Sequence, residues 1–130
     1  MYLHRGGRLS KLSAVGGSIL GIKPILGINP DGSLGLKEKV RGRDAALRLL
    51  VSQMEKSIAP GAKINKLLIP HTDCGDDAEK LANLAKERFD IEDVNIMLMG
   101  PVIGAHVGPG TVALVFEGEM TRDEFESTYY

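Results

Sequence analysis

Ile22-Lys-Pro-Ile-Leu-Gly-Ile28, Asn29-Pro-Asp-Gly32 and, after Ser33, Leu34-Gly-Leu-Lys-Glu-Lys-Val40 decide the class of fold. The first run reads as a strand, with Pro24 near its start, where a missing N–H does least harm. Asn-Pro-Asp-Gly is turn chemistry: proline presets φ, and glycine reaches conformations closed to other residues. The run from Leu34 alternates apolar and polar residues and reads as the return strand of a hairpin. An antiparallel hairpin argues against an all-parallel, doubly wound sheet, even though the rest of the chain alternates strands with helices. The expectation is α/β in the broad sense (α+β): two layers, a mixed β-sheet covered by helices.

Downstream, the periodicity is clear. From Asp44, the residues Ala46, Leu47, Leu50, Val51, Met54 and Ile58 form a stripe at helical spacing, which Pro60-Gly61 closes. Ile64-Asn-Lys-Leu-Leu-Ile-Pro70 predicts a mostly buried strand. Thr72 or Asp73 is a plausible N-cap for the next helix, with Asp76 and Asp77 suited to its positive end. That helix carries Ala78, Leu81, Ala82, Ala85 and Phe89 on one face. Val94-Asn-Ile-Met-Leu-Met99 is the next strand. Upstream of the hairpin, Leu9, Leu12, Val15 and Ile19 are spaced as on a helix. Gly16-Gly17 either breaks that helix or lets another backbone or a ligand pack close.

The stretch Gly100-Pro-Val-Ile-Gly-Ala-His-Val-Gly-Pro-Gly110 holds four glycines and two prolines, with His106 among them. It reads as a shaped loop that leads into a buried strand over 111–116. One imidazole among exposed backbone amides suits an anionic head group. A tight connection whose histidine bonds a carbonyl fits the composition equally well. Arg8 follows Gly6-Gly7 and precedes the first helical spacing, a placement that suits a phosphate or carboxylate partner or an ordinary surface turn.

Composition narrows the function. The chain has 130 residues, enough for one domain with a real core, and its formal net charge of −1 gives no basic field to attract nucleic acid. There is no Trp, and three Phe and three Tyr leave little material for stacking bases. Cys74, the single cysteine, rules out an internal disulfide and suits a reducing compartment. No apolar run approaches membrane-spanning length and no signal-peptide layout opens the chain, so a cytoplasmic location and no integral membrane segment are expected. His71, Asp73 and Cys74 fall within four residues. They lack the second pair that a closed zinc site needs, so His71 is read as a strand-end residue that bonds locally. No metal, no cofactor, no nucleophile elbow and no phosphate loop are expected. Arg41-Gly-Arg43 reads as a solvated approach to a helix.

Four motifs in register carry a resemblance: Tyr2-Leu-His-Arg-Gly-Gly-Arg-Leu-Ser-Lys11, Ile22-Lys-Pro-Ile25, Glu38-Lys-Val-Arg-Gly-Arg43 and Gly104-Ala-His-Val-Gly-Pro-Gly110. Together they resemble the C-terminal lobe of the DegV family of bacterial fatty-acid-binding proteins. The match covers residues 2–118, so the chain divides into a DegV C-terminal-like lobe over 1–118 and an acidic polar tail over 119–130. The resemblance implies a non-catalytic carrier with two lobes, the fatty acid lying between them, and a two-layer C-terminal lobe with a mixed sheet. The family's N-terminal lobe, which gives Ser and Thr to the carboxylate, has no counterpart in this sequence.

By motif, His106 matches the histidine near the carboxylate, and Gly104, Gly108, Gly110 and Gly7 complete the ligand-binding set. Arg8 matches the arginine implicated in phosphotransfer with a fatty-acid kinase, to which some members present the acyl carboxylate for phospholipid synthesis. The implied partners are a long-chain fatty acid, the N-terminal lobe, that kinase and a second copy of the chain. Two other classes stay open: a ligand-free interaction domain, and an enzyme of phosphoryl or acyl transfer.

Overall fold

The computed structural model describes residues 21–29, 31–58 and 60–117. The helical spacing over 9–20, the motif with Gly7 and Arg8, and the tail over 119–130 lie outside them. The order is β1 (Ile22–Ile28), β2 (Leu34–Arg41), α1 (Arg43–Lys56), β3 (Ile64–His71), α2 (Gly75–Arg88), β4 (Ile91–Leu98), α3 (Pro101–Val107) and β5 (Val115–Phe116).

The hairpin forms as read. β1 and β2 pair antiparallel from Ile22↔Arg41 to Ile28↔Leu34. The register slips between Ile25 and Leu26 because Glu38 and Leu36 are their partners, leaving Lys37 as the extra residue of a bulge. At the turn, Gly32 has φ +85° and donates to the Asn29 carbonyl at 2.9 Å. Asp31 Oδ1 accepts from the Ser33 hydroxyl at 2.6 Å and from the Ser33 N–H at 2.9 Å. Those two donors, the hydroxyl first, hold the Asp31 carboxyl below its ordinary value of 3.8. The hairpin is its own two-stranded sheet. The mixed character lies next door, in a sheet of order β4-β3-β5. There β3 runs parallel to β4 and antiparallel to β5.

One face of that sheet is covered. Leu67 and Ile69 of β3, fully buried, share a cluster with Leu47, Val51 and Met54 of α1 and Ala78, Leu81, Ala82 and Ala85 of α2. These are the stripes that helical spacing predicts. Burying each large apolar side chain contributes about 1.5–3 kcal/mol. α2 lies on β3 and β4, while α1 packs against α2 and the hairpin. Alternation puts Leu68, Pro70 and Met97 on the opposite face, with Val115, the partner of Leu68, beside them.

Three ends differ from expectation. β4 begins at Ile91, ahead of the expected Val94, because Ile91 already pairs with Ile64. α1 stops at Lys56, short of Pro60-Gly61, because Ser57 closes it: its N–H reaches the Met54 carbonyl and its hydroxyl the Gln53 carbonyl. α2 is capped by neither Thr72 nor Asp73. Asp73 takes φ +51°, a left-handed conformation that Asp tolerates, and the N-cap falls to Cys74 with no side-chain bond. Asp76 and Asp77 do occupy its first turn.

Candidate functional site

The glycine-rich stretch is not a loop throughout. Pro101–Val107 is a helix, α3, with Gly100 as an extended N-cap. Proline stands at the start, where a helix needs no donor, and Gly108 at φ +79° ends it, with Pro109 just beyond. Gly104 donates to the Gly100 carbonyl at 2.8 Å, and Gly108 to the Gly104 carbonyl at 2.9 Å. The prolines bracket the helix rather than interrupt it. The strand expected over 111–116 shrinks in the same way. A single bridge joins Val112 to His71, and ladder pairing resumes only at Val115–Phe116. The intervening residues are half-buried.

What holds this return is Thr72. Its N–H donates to the Thr111 carbonyl at 2.8 Å, and its carbonyl accepts from Gly110 N–H at 2.7 Å. Its hydroxyl donates to the Gly108 carbonyl at 2.6 Å and accepts from Thr111 N–H at 2.9 Å. A Cβ added to Gly104 would stand 3.7 Å from the Thr72 methyl, so Gly104 faces Thr72 across the turn. Gly110 takes φ +82°. Sequence reasoning saw Thr72 only as a cap. A hydroxyl beside a glycine-rich return is signal enough only once the topology has brought the two together.

His106 sits in the last turn of α3 and is half-buried. Its ring makes no hydrogen bond or ion pair among the described residues. One turn before it on the same helix, Val102 is 73% and Ile103 59% exposed, and Leu98 at the end of β4 is 73% exposed. α3 buries no residue at all.

His71 behaves as read. It is buried at the end of β3, and its Nδ1 accepts from Cys74 N–H at 3.2 Å. That bond leaves the proton of the neutral ring on Nε2, so the ring offers a donor rather than a metal ligand. Among the described residues no three His, Cys, Asp or Glu side chains gather. A depression at the start of α2, lined by His71, Cys74 and Leu98, also carries Asp73, Asp76 and Asp77, whose charges disfavour an anion. Arg43 corrects its reading as a solvated approach. It is half-buried, bonds Asp77 Oδ2 through Nε at 2.9 Å and reaches Cys74 Sγ at 3.6 Å, tying α1 to α2. Among the described residues no helix is long and apolar enough to cross a membrane.

Fold and site together define a two-layer, mixed α/β lobe in which the short helix after β4 carries a glycine-flanked histidine and the exposed Val102 and Ile103. The DegV family model, described as that of an uncharacterised protein family, matches residues 1–119, and the chain belongs to the DegV family. A DegV domain-containing protein of Clostridium perfringens is 41% identical over 118 residues, 91% of this chain and 40% of that protein. A solved structure described as a fatty-acid-binding DegV family protein, from Streptococcus agalactiae, superposes with TM-score 0.77 at 36% identity, covering 92% of this chain and 41% of that one. A DegV protein of Eubacterium eligens loaded with heptadecanoic acid gives TM-score 0.80 at 27% identity, covering 90% and 41%. The chain thus spans about two fifths of the length of these relatives.

Proposed function

We propose that this chain is the fatty-acid-binding C-terminal lobe of a DegV carrier, with His106 at the carboxylate end of the lipid. The observation that carries it is the half-buried His106 ring, without a partner among the described residues, one turn from the exposed Val102 and Ile103 on the same helix. An acyl chain gains about 0.8 kcal/mol for each CH₂ removed from water, so an apolar wall supplies affinity. The carboxylate, costly to bury unpaired, needs a donor, and imidazole is one. Gly104, Gly108 and Gly110 shape the backbone around that ring, and Gly7 belongs to the same proposed set.

The fatty-acid-binding Streptococcus agalactiae protein and the Eubacterium eligens protein loaded with heptadecanoic acid support the reading. So does the absence of a nucleophile elbow or phosphate loop from the sequence, which favours a carrier over an enzyme. Presentation of the acyl carboxylate to a fatty-acid kinase, through Arg8, is the finer part of the proposal and rests on the Arg8 motif. Native mass spectrometry of the purified chain tests the whole. Bound fatty acid supports it. A lipid-free chain that also fails to bind added heptadecanoate overturns it, and turnover of ATP with fatty acid by the chain alone would replace it with an enzyme.

A further inference from the structure

A helix of seven residues that buries none of them has little to fix it in place. α3 is held at its two ends. At the start, Met99 N–H donates to the His71 carbonyl at 2.8 Å, which extends the β3–β4 ladder to the residue before Gly100. At the end, every polar group of Thr72 goes to residues 108–111. The other side-chain bonds at that end are weaker or travel with it. Thr111 Oγ1 reaches the Val107 and Gly108 carbonyls at 3.3 Å within the same turn, and Cys74 offers only a thiol at 3.3 Å from the Thr111 carbonyl.

We propose that Thr72 is the positioning residue of the His106 site, its hydroxyl fixing where the last turn of α3 holds the ring. His106 lies two residues before Gly108, whose carbonyl takes the shortest of the Thr72 bonds, 2.6 Å. The Thr72 hydroxyl oxygen also accepts from Thr111 N–H at 2.9 Å, so one atom closes both sides of the left-handed step at Gly108 and Gly110. The methyl group matters less. It stands at ordinary contact distance from the space beside Gly104, 3.7 Å, and locks nothing. The inference deepens the proposed function and rests on His106 being the head-group contact.

Thr72→Val keeps the shape and removes the hydroxyl; Thr72→Ser keeps the hydroxyl and removes the methyl. In the ligand-free 130-residue chain, Val should speed amide exchange at Thr111 and shift the His106 ring resonance, while Ser leaves both near wild type. With hexadecanoate as probe, Val should weaken binding by roughly five- to tenfold and Ser should restore it. If Val unfolds the chain, Thr72→Ala against Thr72→Ser is read the same way. A Val variant with wild-type ring resonance and Thr111 exchange, or a Ser variant as impaired as Val, overturns the inference. The head-group reading fails separately: His106→Ala would then leave hexadecanoate affinity unchanged, while the ligand-free comparison of Val and Ser still decides whether Thr72 positions the ring.

Discussion

At the scale of single residues, His106 is distinguished by what it lacks: among the described residues its ring bonds nothing. Removing it should therefore leave the lobe nearly as stable as before. Losing one partner of a buried charged group costs about 1–3 kcal/mol, so His106→Ala should weaken fatty-acid binding about tenfold or more. Calorimetric titration and a melting curve on the same variant check both halves. A large drop in melting temperature would show that the ring holds its own turn. Asp31 offers a case where pH reads the structure. Its folded pKa is depressed by the Ser33 hydroxyl and N–H. The stabilisation is therefore present above the ordinary value of 3.8 and is lost as pH falls through the lower, folded value. An NMR titration should find the Asp31 midpoint below its ordinary value of 3.8, and Ser33→Ala should raise it toward that value. His106 could be picked out in the sequence because chemistry-bearing residues are rare in its stretch. Thr72 could not, because its partners lie 36 and 39 residues away and pairing of that kind leaves no local trace.

At the scale of elements, the two long helices and the strands were legible because burial imposes a period. The face of α2 that spacing predicts is the face that is buried, and Leu81 at its centre is 0% exposed. Leu81→Ala should then cost about 2–5 kcal/mol, a large share of the stability of a small domain. Leu84, only half-buried against the same core, should cost less when truncated. Chemical denaturation of the two variants sets them against each other, and equal losses would mean that the core is not where the packing puts it. α3 was missed for a different reason. It is seven residues long and buries none of them, so no burial period marks it, and its glycines and prolines argue locally for a loop. What makes it helical is placement: proline at the donor-free start, glycine at the left-handed end. The Arg43–Asp77 bond was equally hidden, since neither residue's chemistry names its partner 34 positions away. With side chains 31% and 25% exposed, the pair should show a coupling of about 1 kcal/mol or less in a double-mutant cycle.

At the scale of the whole molecule, the chain spans about two fifths of the length of its relatives, and on the proposed reading a second lobe would cover its exposed apolar face. In a DegV protein with both lobes, Arg8→Ala should leave fatty-acid affinity within a few-fold and impair phosphorylation of the lipid by the kinase, because a guanidinium can meet phosphate without being buried. Collapse of lipid affinity would instead make Arg8 a head-group contact. The face itself gives the last expectation. Leu98, Val102 and Ile103 expose most of their surface around the turn from β4 into α3, and apolar groups gathered in water mark sites of association. The isolated chain should therefore self-associate or take up a hydrophobic dye, and a long-chain fatty acid should displace that dye if the face is the wall of the lipid site. Val102→Asp separates this from general unfolding. α3 buries none of its side chains, so the charge should abolish dye uptake and association while barely moving the melting temperature. A wild-type chain that is strictly monomeric and indifferent to dye would mean that these side chains are ordinary surface, and the apolar wall would have to be sought on the far face of the sheet, beside Leu68, Met97 and Val115.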